Sequence, residues 1–292
     1  MQQKNASVVI ATYNRAGILE KTLNAMLDQN YPFNYEIIVI NDASTDNTKQ
    51  VLQKISKYKK IRFKNLEKNS GPAVARNVGI KMARYPILVI MDDDCIPDKN
   101  WLKKLVSGFL GNIGITTSFS IYGGTSTAFL KKVLDRVGYF DQDFPFAYRE
   151  DTELVFRVLD TGYKVKFIRG AKFKHLHEPP KTLKTKTIYI LKRIWMHSVD
   201  PLLYKKHPER TKEFFNIKLG IVRHPIEDFK NVTGLWPQKR KKFSLSSPQG
   251  IVFLQPKTIF HEVLVFLGGF FYTIAVKLIR LYGSIKYKKL LI

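Results

Sequence analysis

Three consecutive carboxylates follow an apolar run in the middle of the chain. Residues 87–91 contain no polar position, which is typical of a strand buried on both faces of a parallel sheet. Asp92, Asp93 and Asp94 follow directly. Because adjacent negative charges repel one another, they need a positive partner, and a divalent cation that also holds phosphates would supply it. The alternative is a solvated acidic turn that caps the next helix.

A second acidic pair, Glu150 and Asp151, opens an amphipathic segment that ends at Gly162. Carboxylates at a helix N-terminus are stabilised by the helix dipole, which is one explanation for the pair. The other is a general base, held near the first carboxylate cluster, that takes a proton from an attacking hydroxyl.

Three further residues are candidate metal ligands. His175 and His177 alternate along a predicted strand, so both would point to one face and could approach a metal, although a structural role is the alternative. Cys95 follows the acidic cluster directly. It is either a thiolate ligand or, as we favour, a small buried side chain.

The elements that must position these groups alternate between strand and helix. Strands are predicted over residues 7–12, 35–40, 61–65 and 87–91. Predicted helices lie between them: one over residues 17–30, one ending near residue 58, and one opening at residues 69–72. This order predicts an α/β fold with a mostly parallel sheet and right-handed crossovers.

Polar turns follow the first two strands, as the acidic cluster follows the fourth. The carboxyl ends of parallel strands share one edge of the sheet, so these turns predict a nucleotide-binding crevice there. The alternative for the second turn is that it only caps a helix. The candidate side chains in the two turns are Thr12, Tyr13, Asn14, Arg15, Asp42 and Ser44.

The middle of the chain is less regular. A helix is predicted over residues 98–110, a half-buried strand over 116–122, a helix over 129–137 and a strand over 164–167. Between the predicted strand and helix, Gly123 and Gly124 would allow the backbone to approach a ligand closely, or would only make a turn. The connection over residues 138–149 is rich in Phe and Tyr and either holds an apolar ligand or covers the core.

Composition limits the functional classes. The 292 residues, 45% of them hydrophobic, suit one large domain or a domain with an appendage. A single cysteine excludes an intrachain disulfide, and the first residues lack a signal-peptide pattern, so we expect a reducing, cytoplasmic location. Most of the net charge of +25 lies after Asp160, where the sequence has 27 basic and 7 acidic residues. Such a surface favours a polyanionic partner: anionic lipid, a pyrophosphate-linked substrate or nucleic acid.

The C-terminal part changes character. Residues 181–249 are basic, aromatic and interrupted by proline, and we expect helices and loops there. Residues 263–276 are uncharged and apolar, but as a helix they would extend only about 21 Å, short of the roughly 30 Å of a bilayer core. We favour a helix at the membrane interface over residues 259–281; packing within a dimer or core, or a span with Lys277 and Arg280 snorkelling, are the alternatives.

The motifs, taken in order, resemble those of family 2 glycosyltransferases with the GT-A fold, over roughly residues 7–177. Two positions depart mildly from the family pattern: Asn41 stands where Asp is usual, and Ala43 where Gly is usual. The resemblance implies a catalytic domain over residues 1–178 and a basic helical extension over 179–292. The matching segments are residues 8–15, 38–48, 69–77, 92–94, 123–124 and 150–151.

The resemblance also implies roles for single residues. Asp42 would bind the base of a nucleotide sugar, with uracil favoured, and Gly71, Arg76 and Asp93 would lie in the same site. Asp92 would contact ribose, and Asp94 would hold Mg²⁺ or Mn²⁺ on the diphosphate, with His175 or His177 as a further ligand. Gly124 would lie on the acceptor side. Asp151, paired with Glu150, would be the general base.

The implied activity is inverting transfer of one sugar from a nucleotide-diphosphate sugar, with a UDP-sugar favoured, to a hydroxyl acceptor. The stretch nearest to the Gln-X-X-Arg-Trp motif of processive members is Leu191 to Trp195, which lacks the Gln. We therefore expect single transfers, to an envelope glycan or lipid-linked acceptor. The basic extension would hold the enzyme peripherally on the inner, cytoplasmic face of the cell membrane.

Two other functions are alternatives to a glycosyltransferase. A sugar-phosphate nucleotidyltransferase would carry a Gly-rich, Lys/Arg-containing loop after the first strand, and residues 12–15 offer no such loop. A non-catalytic basic binding module for nucleic acid would explain the charge, but no nucleic-acid motif is present, so we expect no nucleic-acid partner.

Overall fold

A seven-stranded sheet forms the centre of the first of two units. The computed structural model describes residues 4–176, 180–222 and 259–292, and the chain divides into units 1–176 and 177–292. Two further strands of the first unit form a separate antiparallel ribbon. In chain order the strands are β1 (Ala6–Thr12), β2 (Tyr35–Asn41), β3 (Ile61–Asn65), β4 (Ile87–Ile90), β5 (Cys95–Pro97), β6 (Ile113–Thr117), β7 (Thr127–Leu130), β8 (Lys164–Phe167) and β9 (Phe173–His175).

The sheet order is β3-β2-β1-β4-β7-β6-β8. Strands β1 to β4 run parallel, β7 runs antiparallel to both of its neighbours, and β6 and β8 run parallel. The predicted mostly parallel α/β sheet is thus confirmed. The helices of this unit are α1 (Ala16–Leu27), α2 (Thr48–Ile55), α3 (Pro72–Met82), α4 (Trp101–Val106), α5 (Lys131–Val137) and α6 (Glu150–Asp160).

Strand β1 shows why its apolar run does not alternate. Successive side chains of a strand point to opposite faces, so Val8 and Ile10 lie in one hydrophobic cluster and Val9 lies in another. The first cluster includes Leu19 of α1, and the second includes Ile80 of α3. Helices therefore cover both faces of the sheet, and all polar turns after β1, β2 and β4 are left at its carboxyl edge.

The middle of the chain corrects two predictions. Phe129 and Leu130, predicted to begin a helix, belong to β7 instead, because the free edge of β4 needs a hydrogen-bonding partner, and α5 begins only at Lys131. The predicted strand over residues 116–122 is instead β6, Ile113–Thr117. The chain leaves the sheet at Ser118, whose N–H donates to the carbonyl of Ser126 across a turn.

The second unit is mainly helical. Its two-residue strands β10 (Ile217–Lys218) and β11 (Ile221–Val222) pair antiparallel. None of the helices in the described ranges is both long and apolar enough to cross a membrane. The predictions for residues 223–249 and for His177 fall outside those ranges. The helices are α7 (Leu183–Met196), α8 (Asp200–Lys206), α9 (Pro208–Phe215) and α10 (Ile259–Tyr287), with a 3-10 turn at His197–Val199.

Candidate active site

Asp94 lies between Arg15 and His175 at the carboxyl edge of the sheet. The guanidinium of Arg15, at the start of α1, lies 3.2 Å from one carboxylate oxygen. The Nε2 atom of His175, on β9, lies 2.9 Å from the other. The hydrogen bond with Asp94 raises the pKa of His175, against the opposing effect of burial. Arg15 therefore brings a positive charge to the acidic cluster, and the imidazole of His175 bonds to the same carboxylate.

Arg76 supplies a further positive charge and joins the two acidic motifs. Its guanidinium lies 2.7 Å from Glu150 and 3.2 Å from Asp92, and it packs over the ring of Phe140 with 5.4 Å to the centroid. Burial alone would lower the pKa of Arg76, but the charges of Glu150 and Asp92 outweigh burial and raise it. The carboxylate after β4 and the one at the start of α6 thus share one buried cation.

The side chain of Asp93 is buried in the protein interior. Its carboxylate accepts a 2.6 Å hydrogen bond from Thr12 Oγ1, and its backbone carbonyl accepts one from Thr22. Burial raises the pKa of Asp93 to about 6. Among the expected nucleotide-binding residues, Thr12 and Asp93 therefore bond to each other and connect β1 to the turn after β4.

Four potential ligand atoms cluster beside Asp94. Atoms of Asp92, Asp94, Cys95 and His175 all lie within 4.8 Å of one another. Burial, followed by the charge of Asp92, raises the pKa of the Cys95 thiol. Cys95 is fully buried, as we expect of a small core side chain, and the other three donors are two carboxylates and one imidazole.

The turns after β1 and β2 are held together by Asn14. Its side-chain oxygen accepts hydrogen bonds from the backbone N–H groups of Thr45 and Asp46, and its own N–H donates to Ser44 Oγ at 2.9 Å. A backbone φ of 53° suits asparagine, which tolerates the left-handed region better than most residues. Tyr13, next to it, is exposed.

Asp42 fixes the loop before α3. Its two carboxylate oxygens accept hydrogen bonds from the N–H groups of Ser70 and Gly71, at 2.8 and 2.9 Å. Gly71 adopts a φ of 86°, which favours glycine, and the helix begins at Pro72. Asp42 therefore binds backbone N–H groups of a distant loop. It does not cap the helix that follows its own turn, which was the alternative.

Asp151 lies against the glycine pair. A Cβ atom added to Gly123 would lie 2.9 Å from Asp151 Cβ, and one added to Gly124 would lie 3.4 Å from Asp151 Oδ2. Both glycines have a φ of +97°. The hydroxyl of the adjacent Thr125 accepts a hydrogen bond from the N–H of Asp92. This segment therefore brings the two acidic motifs to the same side of the sheet.

The paired carboxylates of α6 hold protons unusually tightly. Burial, together with the charge of Asp151, raises the pKa of Glu150 to about 7. Burial also raises the pKa of Asp151, against the opposing charge of Arg76. One oxygen of Asp151 accepts a hydrogen bond from the N–H of Thr152, whereas Glu150 Oε2 is buried with no hydrogen-bond partner among the residues described. Burial thus shifts both carboxyl groups toward the protonated form.

Two important contacts were not predicted. Asn77 clamps the aromatic connection: its amide donates to the carbonyl of Phe140 and accepts from the N–H of the same residue. Arg157 bonds to Glu153 and to the carbonyls of Val137 and Tyr139. The connection therefore covers the second hydrophobic cluster, through Phe140. For the Asn77 contact, the adjacent Arg76-Asn77 pair in the sequence was the feature that could have indicated it.

Comparison with known proteins agrees with this geometry. The profile of "Glycosyl transferase family 2" matches residues 7–169, more than half of the chain. The glycosyltransferase AglE of Haloferax volcanii is 34% identical over 128 residues, which are 42% of this chain and 42% of that protein. The chain thus spans less than half of that relative's length.

Solved structures share the fold. A mannosyltransferase of Pyrobaculum calidifontis, solved with GDP-Man and Mn²⁺, superposes with a TM-score of 0.63 at 15% identity, covering 96% of this chain and 87% of its own. Residues 1–349 of TarS from S. aureus, solved with UDP, superpose with a TM-score of 0.52 at 17% identity, covering 98% and 92%. At these identities the likeness concerns the fold alone.

Proposed function

Because the chain belongs to glycosyl transferase family 2, we propose that it is an inverting enzyme that transfers one sugar from a nucleotide-diphosphate sugar to a hydroxyl acceptor. The observation that carries the proposal is the cation bridge: Arg76 contacts both Asp92 and Glu150, and so joins the candidate donor site to the acidic pair that contains the candidate base, Asp151.

The donor would bind across the carboxyl ends of β1, β2 and β4. Asp42 would contact the base, with Tyr13 exposed beside it, and Arg76 and Asp92 would line the diphosphate side. The turn held by Asn14 and Ser44, and the loop held at Gly71, support this placement because their backbones are fixed by hydrogen bonds. We favour a uridine base; one solved neighbour carries UDP and the other GDP-Man, so both nucleotides belong in the test.

The donor set near Asp94 fits a divalent metal. Two carboxylates and one neutral imidazole are ligands that Mn²⁺ accepts, and carboxylates also suit Mg²⁺. Asp94, Asp92 and His175 would hold the ion, and Arg15 would compensate the remaining charge. When bound, the ion would neutralise the diphosphate of the leaving nucleotide.

Asp151 would act as the base. Its carboxylate lies beside Gly123 and Gly124, which we assign to the acceptor side. Asp151 would take the hydroxyl proton while the oxygen attacks the anomeric carbon from the face opposite the nucleotide. Glu150 would act through Arg76 as a positioning residue, since its own side chain is buried.

The acceptor and the location are also part of the proposal. We propose an envelope glycan or a lipid-linked sugar, met at the inner face of the cell membrane. The 27 basic against 7 acidic residues after Asp160 support an anionic surface as partner. The division into a catalytic domain of residues 1–178 and an extension of 179–292 likewise belongs to the proposal.

The test replaces Asp151 by Asn. We expect sugar transfer to fall by about 10²- to 10⁴-fold, the usual contribution of a general base, with the Kd for UDP or GDP in the presence of Mn²⁺ unchanged. Asp160→Asn, at the exposed end of the same helix, is the matched control and should transfer normally. An Asp151→Asn enzyme that stays fully active would remove the base from the proposal.

A further inference from the structure

Helix α10 carries its apolar side chains on the outside. From Leu267 to Ile285 its exposed large residues lie within an arc of about 120° at 100° per residue. Ile285 is 74% exposed and Leu278 is 61% exposed. The stripe is about 27 Å long at 1.5 Å per residue. Its members are Leu267, Phe270, Phe271, Ile274, Leu278, Leu281, Tyr282 and Ile285.

The opposite face of α10 packs within its unit, and its buried residues are mostly glycine or polar: Gly269, Val276, Arg280, Gly283 and Ser284. Arg280 is buried there and donates to the buried Asp200 at 3.0 Å. Gly283 approaches the backbone of Ser198 so closely that an added Cβ would lie 2.1 Å from its carbonyl oxygen. A helix on the surface of a water-soluble protein normally buries its apolar face and exposes its polar one. In α10 this arrangement is reversed.

Helix α7 extends the apolar surface. Its exposed residues Ile188, Leu191 and Trp195 share one side of the helix, and the ring of Trp195 stacks against Tyr282 of α10 at 5.4 Å between centroids. Tryptophan and tyrosine with one apolar and one polar end are typical of the boundary between lipid and water.

Basic side chains border this surface. Lys277 and Lys286 lie at opposite edges of the stripe on α10, and Lys184 and Lys192 lie on α7. Residues 180–222 and 259–292 together contain fifteen basic and four acidic residues. Long lysine side chains can lie along an apolar surface while the amino group reaches anionic head groups.

We propose that α7 and α10 form a membrane-docking face that lies in the interface of an anionic bilayer, with the stripe entering the acyl boundary and the lysines binding lipid phosphates. This inference rests on the proposed function for its location and names the surface responsible. The apolar stripe with charged edges is the arrangement of helices that lie in the plane of the interface. A second copy of this chain, the other candidate occupant, would bring the same excess of positive charge against itself.

The test measures binding of the full chain to vesicles by sedimentation. We expect binding to vesicles of phosphatidylcholine with phosphatidylglycerol and much weaker binding to phosphatidylcholine alone. Leu278→Asp should lower the partition coefficient by about tenfold or more, since one leucine no longer enters the interface. Lys277→Glu and Lys286→Glu should each lower it by roughly fivefold.

Matched controls come from the first unit. Leu110→Asp alters a leucine that is 64% exposed, and Lys59→Glu alters an exposed lysine; both should bind vesicles like the wild type. Equal binding by Leu278→Asp and Leu110→Asp would overturn the proposal. So would a wild-type dimer that Leu278→Asp dissociates while neither protein binds vesicles. Nucleotide binding, measured without vesicles, reports on the proposed function separately.

Discussion

At the residue scale, the site is a set of carboxylates made compatible by cations of the protein itself. Arg76 is the most important of these, because it is buried and contacts acidic groups from β4 and α6. Removing one partner of a buried ion pair leaves an uncompensated charge, which costs more than removing both partners. We therefore expect breaking this buried pair to cost stability, whereas breaking an exposed ion pair should cost little.

Arg76→Met should destabilise the protein by about 3 kcal/mol or more, because the charges of Glu150 and Asp92 lose their buried partner. The double variant Arg76→Met, Glu150→Gln should recover part of that loss. Urea unfolding measures both. Lys54→Met, which breaks the exposed pair with Glu20, serves as control and should change little. A double variant no more stable than Arg76→Met would show that the charge of Glu150 is not what Arg76 compensates.

Glu150 gives a pH-dependent prediction. Its pKa is about 7 in the folded protein, above the ordinary value of 4.5, so the folded state binds the proton more tightly than the unfolded state does. The stability that this proton gives is present at low pH and is lost as the pH rises through about 7. Stability should therefore fall between pH 5 and 8, and fall less in Glu150→Gln. Unfolding at several pH values measures the two slopes, and equal slopes would contradict the assignment.

At the scale of elements, the turn between β6 and β7 sets the position of Asp151. Gly123 and Gly162 both have positive φ values, +97° and +86°, but only Gly123 lies against a neighbour, whereas Gly162 has nothing within 4 Å of an added Cβ. Alanine at either position therefore brings similar backbone strain, on the order of 1 kcal/mol or more. Only one of the two substitutions moves the candidate base.

Gly123→Ala should consequently lower kcat by tenfold or more, because a displacement of about 1 Å at a reacting group costs up to about 10²-fold. Gly162→Ala should lose stability without losing kcat. Steady-state kinetics with saturating donor and thermal unfolding of both variants make the comparison. If both variants lose kcat equally, the close approach of Gly123 to Asp151 has no role in transfer.

At the scale of the whole molecule, the two units carry different charges. The acidic residues that would bind metal and nucleotide lie in the first unit, which has 27 basic and 17 acidic residues, whereas the second unit has 22 basic and 7 acidic ones. Binding of donor and metal should stabilise the folded chain by mass action, by about 2.7 kcal/mol at a hundredfold excess over Kd. This separates a nucleotide site from a general attraction of anions to a basic protein.

We therefore expect UDP or GDP to raise Tm more in the presence of Mn²⁺ than in its absence. Asp94→Asn should lose this metal-dependent increase, whereas Asp98→Asn, four residues further on and exposed, should keep it. A shift that salt abolishes equally in all three proteins would indicate attraction by net charge alone.

The sequence by itself determined the alternation of strands and helices, because burial on both faces leaves uninterrupted apolar runs such as that of β4. It also determined that polar turns after β1, β2 and β4 share one edge, since parallel strands end on the same side. The tertiary structure alone decided that Phe129 and Leu130 belong to a strand, because pairing with the open edge of β4 overrides local helical spacing. It alone brought Arg76 to Asp92 and Glu150, and it alone showed which side of α10 is exposed. Both depend on side-chain partners from distant segments, which local sequence order does not reveal.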